Sequence, residues 1–113
     1  MRSVVIAPGV AVLEPHLLAE LHQADGVFFD GTFWSNDDFQ KSGIEHPSAA
    51  ELLQGHLPIF DGSLRTLAEI PANQKIYLHI NNTNPILWDD SPERIRLDEF
   101  GIKVAADGME FEL

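Results

Sequence analysis

Three short apolar segments, Val4-Val5-Ile6, Val27-Phe28-Phe29 and the alternating run 75–80, are separated by stretches of helical periodicity. This alternation narrows the possible folds more than any other feature of the chain. Strands joined through helices lie parallel, and such crossovers are right-handed in about 98% of cases. Val4-Val5-Ile6 is apolar throughout and β-branched, which predicts a strand covered on both faces.

The intervening segments carry their own boundary signals. Glu14-Pro15 opens a helix of about three turns, with Leu17, Leu18, Leu21 and Ala24 at helical spacing and an end near Asp25-Gly26. Between Gly31 and Gly55 the periodicity fades; Ser48 and Glu51 have capping-box spacing and predict a short helical turn over 48–53. Phe33, Trp34 and Phe39 argue that this long connection is ordered. A further helix is expected from Gly62 to Ile70, capped by Asp61 or Ser63, and another from Ser91-Pro92 to Phe100-Gly101. The last segment, 103–113, alternates around Asp107-Gly108 and predicts a β-hairpin. The expected order is β-α-β-loop-α-β-α-β-β, an α/β fold with a mainly parallel sheet. Helices on one face leave the other face in need of a covering layer, and no remaining segment supplies one.

Length and charge bound the function. A chain of 113 residues makes one domain, and its formal net charge of −11, without a basic run, disfavours nucleic acid and anionic membranes as partners. No apolar run approaches a membrane span, and the absence of cysteine removes disulfides and thiolate zinc sites from this chain. A reducing cytoplasm fits that usage. The first residues, with one positive charge and four apolar residues before Pro8-Gly9, are too short for a signal peptide. A strand beginning this close to Met1 points to missing upstream residues.

Sites in open parallel sheets form outside the carboxyl ends of the strands. Asp30 ends the second strand, His79 stands near the end of the third, and His56 lies on the loop entering the next helix. One carboxylate and two imidazoles suit either a divalent metal or a proton relay. The structural alternatives are a turn-forming Asp30 followed by Gly31-Thr32, and histidines bonded to nearby backbone. Asn81, Asn82 and Asn84 read as turn residues that could also orient His79. Phe33, Trp34 and Trp88 read as packing residues, and His16, His22 and His46 as solvated.

The segments 28–34 (FFDGTFW), 55–59 (GHLPI), 79–87 (HINNTNPIL), 91–94 (SPER) and 107–113 (DGMEFEL) occur in the order and register of one family. On these motifs the chain resembles, over essentially its whole length, the C-terminal portion of the pyrroloquinoline quinone (PQQ) biosynthesis protein B family. That family belongs to the metallo-β-lactamase superfamily, whose αββα sandwich has two βα halves with the metal site between them. The resemblance implies that residues 1–113 form a single partial domain, the second half of such a sandwich. The missing layer would then lie in the other half.

Carried over by position, His79 matches the superfamily's last metal-ligand histidine. Asp30 falls where relatives such as the tRNA-processing endonucleases carry Glu or Asp before Ala-Thr or Gly-Thr, and His56 matches their Gly-His loop. In those relatives the pair forms a proton relay beside the metal. Superfamily hydrolases carry Gly-Asp after the strand equivalent to Val4-Val5-Ile6, where this chain has Ala7-Pro8-Gly9 and no bridging carboxylate. The resemblance therefore implies at most one divalent metal, Fe(II) or Zn, with its remaining ligands outside the chain. It also implies that the chain alone lacks a complete catalytic centre. Two functions follow from it. One is iron-dependent hydroxylation of the tyrosine ring in the Glu-Tyr-derived precursor of PQQ. The other is non-catalytic carriage of PQQ or its precursor towards the periplasm. The expected partners are the dipeptide or small-molecule precursor or PQQ itself, and other copies of the chain through its uncovered sheet face.

Overall fold

The apolar segments pair side by side in chain order. In the computed structural model, which describes residues 3–35 and 56–106, β1 (Val4–Ala7), β2 (Gly26–Asp30), β3 (Gln74–Leu78) and β4 (Lys103–Val104) form one sheet in the order β1-β2-β3-β4. Every neighbouring pair is parallel; Ile6 stands opposite Phe28, and Phe28 opposite Ile76. The crossovers run through α1 (Pro15–Gln23), α2 (Leu64–Glu69) and α3 (Pro92–Glu99). The strand order never reverses, so crossovers of one hand put all three helices on the same face.

Side-chain alternation then sorts the sheet into two surfaces. Val27, Phe29, Tyr77 and Val104 face the helices and bury against Leu21, Leu64, Leu67 and Leu97 in one cluster. Val4, Ile6, Phe28, Ile76 and Leu78 point the other way. Val4 and Ile6 remain 41% and 67% exposed. The expectation that β1 is covered on both faces is therefore wrong: β1 is an edge strand, and among the described residues no helix lies over its second face.

Several boundaries differ from expectation for local reasons. The third strand ends at Leu78 rather than residue 80, because His79 adopts φ 58° and leaves the extended region. The helix expected from Gly62 begins as a π turn, Ile59–Ser63, and continues as α2 from Leu64. Ser63 takes the N-cap position of α2 but makes no side-chain cap bond; its hydroxyl instead lies 2.7 Å from the Tyr77 hydroxyl. Gly62 permits this turn, since a Cβ there would stand 2.6 Å from Leu57 Cγ. α1 ends at Gln23 and has no side-chain cap from Glu14. α3 starts as its sequence predicts: Ser91 Oγ accepts from the Arg94 N–H at 3.0 Å, and Gly101 follows the helix with φ 71°.

Lys103–Val104, the first arm of the expected hairpin, pairs parallel with β3. Its turn at Asp107-Gly108 and its return arm lie outside the described residues, as do the helical turn expected over 48–53, Phe39 and His46. Phe33 and Trp34 are buried, whereas Trp88 is 55% exposed and contributes little packing.

Candidate metal centre

The carboxyl ends of β1, β2 and β3 are tied together by backbone before any side chain acts. Gly31 donates its N–H to Leu78 O at 2.8 Å, which holds the end of β2 against the end of β3. No side chain fits at this position: a Cβ on Gly31 would lie 2.6 Å from Ile80 Cδ1 and 2.8 Å from Tyr77 Cβ. Asn84, fully buried, donates from Nδ2 to Gly31 O at 2.8 Å and accepts from the Ile86 N–H at 3.1 Å. The loop after β1 closes the rim, since Val10 donates to Asp30 Oδ2 at 2.9 Å and accepts from the Leu57 N–H.

Asp30 is completely buried and lies at the centre of this arrangement. Its Oδ1 accepts from the Thr32 N–H at 3.1 Å and the Thr32 hydroxyl at 2.6 Å. Its Oδ2 accepts from the Val10 N–H and lies 2.8 Å from His56 Nδ1. Four partners occupy the roughly four lone-pair directions that a carboxylate offers. Such saturation offsets the cost of burying the charge, and among the described residues no buried side-chain polar atom lacks a partner.

The two histidines flank the same hydroxyl. Thr32 Oγ1 lies 2.9 Å from His79 Nδ1 and 3.1 Å from His56 Nδ1. The imidazoles stack with centroids 5.4 Å apart and planes 28° from parallel, and the ring of Phe33 meets His56 edge-on at 6.1 Å. The His56 side chain is 24% exposed and His79 is exposed, so both rings are within reach of solvent while Asp30 is sealed behind them.

Asp30, His56 and His79 form the one group of potential metal donors among the described residues, with a ligand atom from each within 4.8 Å of the others. Two imidazoles with this exposure fit a divalent metal. Asp30 fits less well as a direct ligand, because binding through either oxygen would displace a donor from a buried carboxylate. Its geometry is that of a group behind the two imidazoles, which holds and orients them.

Sequence reading anticipated Asp30, His56 and His79 but not the residue that joins them. Thr32 contacts all three, and its sequence signal is its place two residues after Asp30, in the Asp-Gly-Thr that the resemblance already matched. Asn81 and Asn84 act as turn residues, and their side chains bond Thr83, Gly31 and Ile86, not the rings. The Asn81 N–H donates to Thr32 O at 3.0 Å, its side chain donates to Thr83 Oγ1 at 2.5 Å, and Asn84 fixes Gly31. His16 and His22 are exposed and pair only within α1, with Glu20 and with Leu18 O.

Residues 1–80 match the family model of the beta-lactamase superfamily domain. Coenzyme PQQ synthesis protein B of Cupriavidus necator is 49% identical over 99% of this chain and 37% of its own length. The protein of the same name from Nitrosococcus oceani is 43% identical over 99% of this chain and 36% of its own length. Among solved structures, Zn(2+)-bound PqqB from Methylobacterium extorquens superposes with a TM-score of 0.86 at 35% identity, covering 97% of this chain and 39% of that one. The chain thus spans somewhat more than a third of the length of these relatives.

Proposed function

Because the chain belongs to the beta-lactamase superfamily and, within it, to the coenzyme PQQ synthesis protein B family, we propose that it serves PQQ biosynthesis as part of a divalent-metal enzyme. The observation that carries this reading is the convergence of His56 and His79 on a buried, fully bonded Asp30 at the carboxyl ends of parallel strands. His79 is the proposed metal ligand, and the other ligands lie beyond the described residues. A bound divalent metal would supply Lewis acidity and, as iron, the redox capacity for hydroxylating the tyrosine ring of a Glu-Tyr-derived precursor.

The chain's own residues then have separable tasks. Asp30 Oδ2 holds His56 by Nδ1, so His56 Nε2 is the atom that accepts a substrate proton, and the buried carboxylate stabilises the imidazolium formed. Thr32 holds His79 in place, and the edge of Phe33 limits the travel of the His56 ring. Residues 1–113 act in this proposal as one half of a sandwich whose second layer covers Val4 and Ile6.

The test is anaerobic loading of the intact protein with Fe(II), followed by dioxygen and a Glu-Tyr dipeptide, with mass spectrometry of the product. The expected result is a metal-dependent gain of one oxygen atom. No gain, combined with tight binding of PQQ, would overturn the enzyme reading in favour of a carrier.

A further inference from the structure

Three groups compete for one hydroxyl hydrogen at the centre of the site. Thr32 Oγ1 lies 2.6 Å from Asp30 Oδ1, 2.9 Å from His79 Nδ1 and 3.1 Å from His56 Nδ1. A hydroxyl has one hydrogen to give and two lone pairs to accept with, whereas a carboxylate only accepts. The hydrogen therefore goes to Asp30, at a separation typical of an O–H···O⁻ bond. The two remaining contacts can be attractive only if each ring brings a hydrogen on Nδ1. We propose that Thr32 is a positioning residue that sets the tautomer of His79 and contributes to that of His56, leaving Nε2 of both rings unprotonated and able to bind a metal or accept a proton. This rests on the reading of the two histidines as the functional pair.

Thr32 is placed for the task by contacts independent of the rings. Its N–H is held by Asp30 Oδ1 and its carbonyl by the Asn81 N–H, and it is 7% exposed. The two histidines differ in how far they depend on it. His56 Nδ1 has a second acceptor, Asp30 Oδ2 at 2.8 Å, so its hydrogen is shared between two oxygens. His79 Nδ1 has Thr32 alone among its hydrogen bonds in the described residues. Since the hydrogen bond at one ring nitrogen decides which nitrogen carries the proton, loss of the hydroxyl should free His79 and spare His56.

The experiment is long-range proton–nitrogen NMR of the metal-free intact protein at about pH 8.5, above the ordinary histidine range. It compares the wild type with Thr32→Val, which keeps the shape and loses the hydroxyl, and with Thr32→Ser, which keeps the hydroxyl. The wild type is expected to carry the proton on Nδ1 of both rings. In Thr32→Val, His79 should move toward the Nε2–H form that an unconstrained imidazole prefers while His56 stays; Thr32→Ser should restore His79. Zinc titration of the same proteins should show a loss of roughly 10–100-fold in affinity for Thr32→Val and near wild-type affinity for Thr32→Ser. A wild-type His79 protonated on Nε2 overturns the inference whether or not Thr32→Val folds, as does an Nδ1–H His79 that persists in Thr32→Val. Expected tautomers without zinc binding would sink the metal reading under Proposed function and leave this one standing.

Discussion

His79 reaches the site from a backbone conformation that residues other than glycine adopt at a cost. Its φ of 58° lies in the left-handed region, which is disfavoured by roughly 1–2 kcal/mol for an L-residue with a Cβ. This cost is accepted just past the end of β3, where the turn aims the imidazole at Thr32. His79→Gly should consequently be as stable as the wild type or up to about 1 kcal/mol more stable, while losing zinc affinity; His79→Val should lose about 1–2 kcal/mol. Urea unfolding of the two variants checks this, and equal destabilisation by Gly and Val would contradict it. Tyr77 behaves differently, because its group is sealed inside. Burial pushes its hydroxyl well above the usual phenol range; the Ser63 hydrogen bond pulls the other way, and the Asp30 charge adds to the rise. The folded state therefore holds this proton more tightly than the unfolded chain does. The resulting stability is fully present below about pH 10 and is lost as pH climbs from there towards the folded-state value. Tyr77→Phe should flatten that alkaline loss. It should also cost about 1–3 kcal/mol near neutral pH, because buried Ser63 would lose its partner, as urea midpoints across a pH series would record.

At the scale of elements, the site depends on the clasp between the end of β2 and the loop after β3. Gly31 and Asn84 make that clasp, the first by having no side chain and the second by bonding Gly31 O and the Ile86 N–H together. Gly31→Ala would drive a Cβ to 3.1 Å from Leu78 O and closer still to Ile80 and Tyr77, so a loss of about 1–3 kcal/mol is expected. The strain falls on the strand end that carries Asp30, and zinc affinity should fall with it. Calorimetric unfolding and zinc titration of one preparation test both effects; an unchanged melting temperature would remove Gly31 from the account. The start of α3 was legible in its sequence because its determinants are local: Ser91 caps the Arg94 N–H within one turn. The π turn before α2 was not, because Ser63 turns to Tyr77 and Gly62 makes room for Leu57, and those partners are identified only by packing.

For the whole molecule, the unreversed strand order has one dominant consequence. Among the described residues all three helices cover one face, and at its β1 edge the other presents Val4 and Ile6 to solvent beside half-buried Phe28, while Ile76 further in is buried. Apolar surface of this kind marks an interface. The 113-residue chain by itself should therefore self-associate at high micromolar concentration despite its net charge of −11, and Ile6→Glu should shift it towards monomer in sedimentation velocity. A monomeric wild-type chain would show that this face is already covered. No helix among the described residues is long and apolar enough to cross a membrane.

The sequence by itself determined the parallel order of the apolar strands, the helices between them and the need for a second layer. Those properties follow from periodicity and caps, which act over a few residues. It also supplied Asp30, His56 and His79 as candidates, although they lie 23 to 49 positions apart. Only the tertiary structure decided that one hydroxyl, Thr32, stands among all three, and that both oxygens of Asp30 are held by protein donors. The physical reason is that hydrogen-bond capacity is counted in space. A carboxylate's free directions depend on donors delivered by the loops after β1 and β2 and the loop before α2, and no spacing along the chain records where those donors meet.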